Sequence, residues 1–345
     1  MRILITGGAG LVGSHCAEFF ALNNPKNKVI VLDNLMRSQI FGYDKKSVEF
    51  NWIYLKKFRN IKRIKGDVRN DRDVKRAIGR GVDVVIHTAG QPGVPSSVRM
   101  PKEDFSINAF GTLNVLEAMR RNLVRNNPVK LLLYASSSEI YGTAQYVPMD
   151  EKHPINPQSP YAAGKAAADR LCSSYHHVYK IPVIILRQFN TYGPNQMLKG
   201  YSAVIPKFIS QVYNNCSPTI YGDGTQTKDF HYIDDLISAY ELIIDKWSEL
   251  DLFGRPINFG TGKETSINKL SEIILEVISK RTGRSLKEDL KPVYLPKRPG
   301  EVMRFAADTS LAKKTLGFSP KIDIKEGIEK YFDWFIKEHY APSNI

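Results

Sequence analysis

A short apolar run, Arg2–Thr6, stops at Gly7 and continues as Gly8-Ala9-Gly10-Leu11-Val12-Gly13, after which an amphipathic segment begins near Leu11. This order reads as strand, tight turn, helix. Glycines at 7, 10 and 13 permit the sharp turn, the approach of a diphosphate to bare backbone, and close helix–strand packing. A glycine pattern alone is weak. It gains weight from Lys28–Asp33, a second apolar run that ends in an acid about twenty residues past the last glycine. Asp33 is placed to accept hydrogen bonds from an adenosine ribose, and its charge would repel a 2′-phosphate, so NAD is expected rather than NADP.

Four further runs continue the alternation: Ile61–Lys65, Val82–His87, Lys130–Ser136 and Val183–Arg187 read as strands, with helical stretches near 71–79, 102–123 and 160–180. Strands separated by helices build a doubly wound parallel sheet, so the expected class is α/β of the Rossmann type. Residues 34–60 are a polar and aromatic insertion without an assignable pattern. From Asn190 the pattern loosens: Pro194, Pro206 and Pro218 punctuate short segments and 221–226 is a turn by composition. A helix over 234–246 and a strand at Ile257–Gly260 could return to the main sheet, while 266–283 and 309–340 read as helices of a smaller lobe. The expected division is 1–187 with about 229–260 for the dinucleotide, and about 188–228 with 261–345 for a substrate.

At 345 residues the chain is long enough for both units, and no apolar run is long enough to span a membrane. With no signal peptide at the N-terminus, the expected compartment is the cytoplasm. Cys16, Cys172 and Cys216 are far apart and read as packing residues, and His87, His176 and His177 lack a metal-ligand pattern, so no metal is expected. The net charge of +14 favours anionic partners, a nucleic acid among them. The densest basic run, Lys56–Lys65, nevertheless contains Ile61 and Ile64 and suits a strand with a solvated flank.

Tyr161 and Lys165 stand four residues apart at the start of a helical stretch, on one face. An ammonium beside a phenol favours the ionised phenol, which can then act as a base nearer neutral pH. Such pairs also arise as ordinary helix decoration. Here the rest of the chain gives the pair its context.

The ordered set of motifs resembles the extended short-chain dehydrogenases/reductases that modify nucleotide sugars, the epimerases and dehydratases related to UDP-galactose 4-epimerase. The carriers are Thr6–Gly13, Asp33-Asn34, Gly66-Asp67-Val68, Ala135–Gly142, Tyr161 with Lys165, Arg187–Pro194 and Arg298–Glu301, spread through nearly the whole chain. The resemblance implies NAD bound by Gly7, Gly10, Leu11, Val12, Gly13, Asp33 and Asn34, with Asp67 and Val68 flanking adenine. It implies Tyr161 as the base for a sugar hydroxyl, Lys165 as the holder of the nicotinamide ribose, and Ser137 as the hydrogen-bond partner of the reacting oxygen. Gln91, Ser138, Asn190, Lys228, Arg298 and Glu301 would contact the nucleotide sugar. The helices near 102–123 and 160–180 would form a homodimer interface. Two departures stand out: Lys228 occupies a position where the family commonly has Arg, and Gly164 lies inside the helix that carries Tyr161.

Several reactions follow from the resemblance. The favoured reading is 4-epimerisation of a UDP-hexose through a transient 4-keto sugar, supported by Gln91–Val94 and Arg298–Val302. The alternative is a 4,6-dehydratase with Glu139 as the base at C5, because the family places its acid and base immediately after the catalytic Ser/Thr and this chain has Ser138-Glu139 there. The insertion with Asn51-Trp52 and the pair Gly90-Gln91 are similar to CDP-tyvelose 2-epimerase, whose lysine-bearing motif after the catalytic Ser/Thr is absent. A non-catalytic, basic nucleic-acid-binding relative is the reading from another class, and the intact Ser137, Tyr161 and Lys165 weigh against it.

Overall fold

Apolar runs buried on both faces require a parallel sheet with helices above and below. The computed structural model, which describes residues 1–79, 81–196 and 203–339, has that architecture. Its first half runs β1 (Arg2–Thr6), α1 (Leu11–Asn23), β2 (Lys28–Asp33), α2 (Arg37–Phe41), α3 (Lys45–Tyr54), β3 (Ile61–Lys65), α4 (Asp71–Ile78), β4 (Val84–His87), α5 (Val94–Arg99), α6 (Pro101–Phe105), α7 (Gly111–Val124), β5 (Leu131–Ser137) and α8 (Pro160–Tyr179). The second half adds β6 (Val183–Gln188), β7 (Asn190–Tyr192), α9 (Val204–Tyr213), β8 (Thr219–Tyr221), β9 (Thr227–Lys228), β10 (Phe230–Tyr232), α10 (Ile233–Lys246), β11 (Pro256–Phe259) and α11 (Ile267–Thr282).

Seven strands pair in parallel in the order β11-β6-β5-β4-β1-β2-β3. The order reverses between β1 and β4, and the crevice at the carboxyl ends of the strands beside such a reversal is where an open α/β sheet takes its ligand. Alternation within β1 divides the core. Ile3 and Ile5 pack with Cys16 and Phe20 of α1 and Tyr240 of α10, while Leu4 packs with Val74 of α4 and Leu116 of α7.

Three expectations need correction, and one unassigned stretch gains its structure. The helix over 102–123 is interrupted by a π-helical turn, Ser106–Phe110, between α6 and α7. The helix over 309–340 is two helices, Ser310–Leu316 and Ile324–His339, separated after Gly317 takes up a left-handed conformation; Tyr340 lies outside the described residues. The insertion 34–60 is structured as α2 and α3. Cys216 is exposed, whereas Cys16 and Cys172 are buried.

The basic run behaves as a solvated edge. β3 ends the sheet, Lys57 Nζ lies 3.6 Å from the Tyr54 ring centroid, and Arg63 sits 4.9 Å from that of Trp52. Among the described residues no helix is long and apolar enough to cross a membrane, and no group of three or more His, Cys, Asp and Glu side chains is placed to hold a metal ion.

Candidate active site

At the mouth of β1 the glycine turn has little freedom. Gly7 has φ of +70° and a Cβ there would lie 2.6 Å from the backbone of Ala89; a Cβ at Gly13 would lie 2.4 Å from the Gly7 carbonyl oxygen. α1 starts at Gly10 with no side-chain cap and no acid in its first turn. Its first N–H groups, with the partial positive charge of a helix start, are therefore left for an anionic ligand. Asp33 closes β2 and ties the turn down, accepting from Ala9 N through Oδ2 and from Leu35 N through Oδ1, both at 2.9 Å. Burial raises its pKa, against the pull of those N–H groups and of Arg37. Gly7, Gly10, Leu11, Val12, Gly13, Asp33, Asn34 and Val68 all line one large cavity of about 500 Å³. This cradle fits a dinucleotide.

Asp67 is the exception among the expected cofactor residues. It is not part of the cavity lining, and its carboxylate is engaged by Arg69 at 2.7 Å and by Asn34 Nδ2 at 3.0 Å. The side chain organises the loop after β3 while its neighbour Val68 faces the cavity.

At the end of β5 three serines line the cavity and differ in their partners. Ser136 Oγ donates to Asp169 Oδ2 at 2.7 Å, within a buried network in which Arg187 also donates to Asp169 and to the Tyr141 hydroxyl. Ser137 and Ser138 line the cavity, and Ser137 Oγ accepts from Glu139 N at 3.2 Å. Opposite them α8 begins with Ser159 Oγ accepting from Ala162 N at 3.1 Å and Pro160 at the first helical position. That start sets Tyr161 and Lys165 into the same cavity, 8% and 7% exposed. Lys165 Nζ donates to the Ala135 carbonyl and lies 4.7 Å from the Tyr134 ring centroid. Burial lowers its pKa to about 8, although Cys172, Asp169 and Asp104 act in the opposite direction.

Gly164 marks a close approach of two elements that still leaves room for a methyl group. A Cβ there would lie 3.4 Å from Asn108 Cβ and 3.7 Å from Asp104 Oδ1, so α8 and the π turn approach closely at this point. The π turn in turn presents Asn108 to the loop after β4, where its Oδ1 accepts from Gln91 N at 3.2 Å.

Beyond Ser137 the cavity becomes charged. Lys228, on β9, pairs with Glu139 at 3.3 Å and lies 4.4 Å from the Phe305 ring centroid. Arg298 stacks on Tyr221 at 3.6 Å, with Lys207 5.0 Å from the same ring. Glu301 accepts from Gln226 Nε2 at 3.4 Å, and Gln91 Nε2 donates to the Tyr43 hydroxyl at 3.1 Å. Gln91, Ser138, Glu139, Asn190, Lys228, Arg298 and Glu301 are thus all brought to one cavity with Ser137, Tyr161 and Lys165. His87 is a core residue, bonded to Thr6 and Thr112, and burial lowers its pKa to about 3.

Sequence reading missed Arg37, Tyr43, Asn51, Asn108, Lys207 and Tyr221, which line the same space. Arg37 alone had a local signal, since it follows the acid at the end of β2 by four positions.

Comparison with known proteins agrees with this geometry. The family model for GDP-mannose 4,6 dehydratase matches residues 4–331. The chain is 38% identical over 333 residues to a putative UDP-glucose 4-epimerase of Methanocaldococcus jannaschii, covering 96% of this chain and 97% of the relative. It is 31% identical over 345 residues to the dTDP-D-glucose 4,6-dehydratase of Homo sapiens, covering 100% of this chain and 92% of that one. Among solved structures, the UDP-glucuronic acid 4-epimerase of Bacillus cereus, in complex with UDP-glucuronic acid and NAD, superposes with a TM-score of 0.85 at 29% identity, covering 98% of this chain and 99% of that one. With the seven-stranded Rossmann-type sheet, the glycine turn and the Ser137, Tyr161 and Lys165 cavity in place, the chain belongs to the GDP-mannose 4,6-dehydratase family, the NAD-using nucleotide-sugar epimerases and dehydratases among the extended short-chain dehydrogenases/reductases.

Proposed function

We propose that the protein is a nucleotide-sugar 4-epimerase that acts on a UDP-hexose through a transient 4-keto sugar, with NAD in the glycine-turn cradle. The observation that carries the choice is the Glu139–Lys228 pair at 3.3 Å, next to Ser138. Elimination of water across C5 and C6 needs a base and also an acid for the departing hydroxyl. Ser138 is no acid near neutral pH, and Glu139 and Lys228 are engaged with each other rather than free for the proton transfers at C5 and C6. The likeness to the Methanocaldococcus jannaschii and Bacillus cereus proteins supports the uridine nucleotide and the epimerase reading.

NAD, when bound, supplies the acceptor and donor of hydride. Tyr161 removes the proton of the C4 hydroxyl and later returns it, Ser137 orients that oxygen, and Lys165 holds the ribose beside them. Arg298, Lys207 and Asn190 hold the substrate diphosphate while the keto sugar presents its other face. In this reading residues 1–187 with 229–260 hold the cofactor and 188–228 with 261–345 the nucleotide sugar. A second copy of the chain covers the exposed Phe105 and Phe110, which flank a shallow apolar groove lined by Ala109, Leu113, Ala167 and Leu171.

The test is an NMR time course with NAD and UDP-, GDP-, CDP- and dTDP-hexoses, half of it in D₂O. The reading expects reversible formation of a stereoisomer of a UDP-hexose with no solvent deuterium at the carbon. A 4-keto-6-deoxy product carrying deuterium would replace it with the dehydratase reading and make Glu139 the C5 base.

A further inference from the structure

The insertion between β2 and β3 brings two polar side chains to the cofactor groove that neither the glycine turn nor Asp33 accounts for. Arg37, at the start of α2, lines the cavity, faces Asp33, Tyr43 and Tyr161, and donates from Nη2 to the Gly90 carbonyl at 2.9 Å. Among the described residues the other cations of the lining are committed elsewhere: Lys207 and Arg298 flank Tyr221, Lys228 pairs with Glu139, and Lys165 bonds Ala135. A dinucleotide brings a doubly charged diphosphate, for which a helix start offers only partial charge, whereas a guanidinium offers a full charge and a planar fork of donors.

Asn51, on α3, is 4% exposed, and its Nδ2 donates both to Ala9 O at 3.0 Å and to Asn195 O at 2.9 Å. Ala9 belongs to the glycine turn and Asn195 lies 144 positions beyond Asn51, so a single amide joins both sides of the cavity. The insertion is held down by Phe41, Tyr43 and Val48, packed with Leu35, Met100 and Ile107.

We propose that Arg37 and Asn51 make α2 and α3 a clasp on the dinucleotide: Arg37 is the counter-charge of its diphosphate, and Asn51 is the latch that keeps the groove closed between turnovers. The proposal rests on reading the cavity as a NAD site. A reaction that ends with its cofactor in the starting redox state has no need to exchange it, and a clasp keeps it in place.

The experiment compares the full-length wild type with Arg37→Gln and Asn51→Asp, the latter losing the donor at the same shape but adding a charge, so that Asn51→Leu, which loses the donor and adds no charge, must weaken NAD alike. Two quantities are read: nucleotide released per protomer on denaturation after gel filtration, and NAD affinity of nucleotide-stripped protein by calorimetry. Asn51→Asp should bind NAD about tenfold more weakly, and Arg37→Gln on the order of ten- to a hundredfold more weakly, both losing nucleotide on the column. Wild-type content and affinity in Arg37→Gln, or in an Asn51→Asp protein that melts like the wild type, would overturn the clasp. So would an Arg37→Gln protein that loses affinity for NADP and keeps it for NAD, since Arg37 would then serve a 2′-phosphate. A wild type that binds no NAD at all would instead sink the reading of the cavity, a separate failure.

Discussion

Lys165 holds its proton less tightly than an exposed lysine because burial penalises its charge more than Cys172, Asp169 and Asp104 restore it, leaving its pKa at about 8. Below that pH it is an ammonium that can bond ribose hydroxyls and favour an ionised Tyr161; above it that support is lost. Turnover should therefore fall as pH rises through about 8, and Lys165→Arg, which keeps its proton, should lack this alkaline limb whatever its residual rate. Stability moves the other way with pH. The folded pKa lies below the ordinary lysine value of 10.5, so folding disfavours the protonated form, at full cost below about 8 and with that cost relieved as pH climbs toward 10.5. Tyr161→Phe removes the proton acceptor and should lower kcat by roughly 10²–10⁴ while NAD still binds, as calorimetry would show. Glu139→Gln separates the two reactions: a 4-epimerase should keep turnover within about tenfold, whereas a C5 base could not be replaced so cheaply. Tyr161, Lys165 and Ser137 were legible in the sequence because each sits in a short local motif. The Glu139–Lys228 pair was not, since 89 positions separate its members and only the tertiary fold joins them.

At the scale of elements, the close approach of α8 to the π turn makes a clear stability forecast. Ala at 164 fits, its Cβ 3.4 Å from Asn108 Cβ, and should gain up to about 1 kcal/mol of helix preference. Val at the same position would force the two segments apart and cost about 1–3 kcal/mol, and urea unfolding distinguishes the two. The alternating strands and helices of the sheet were readable because each buries a regular apolar pattern. α2 was not, because five residues are too few to show a period, and Phe41, Tyr43 and Val48 form a small cluster of their own apart from the main core. The π turn left no trace either: one extra residue per turn changes which side chains face the neighbour without changing their composition.

For the molecule as a whole, the apolar face around Phe105 and Phe110 is the feature that composition concealed, since the net charge of +14 points toward a uniformly polar surface. Phe110 is 55% exposed. Phe110→Glu should convert the proposed dimer into a monomer by light scattering and leave NAD affinity unchanged, because the substitution lies outside the cavity lining. The doubly wound parallel sheet followed from the alternation of elements; its strand order did not, because tertiary pairing alone fixes which strands are neighbours. The insertion over the groove did not, because its contacts are made with loops far along the chain. The polar network beneath the site divides the molecule's labour. Asp169, Arg187, Tyr141 and Ser136 form a buried network that braces β5, while Lys228 reaches the cavity from β9 and pairs with Glu139. A substitution at Lys228 leaves that brace untouched, so a fold of this kind can vary one wall of its pocket while the strand end that carries Ser137 keeps its support.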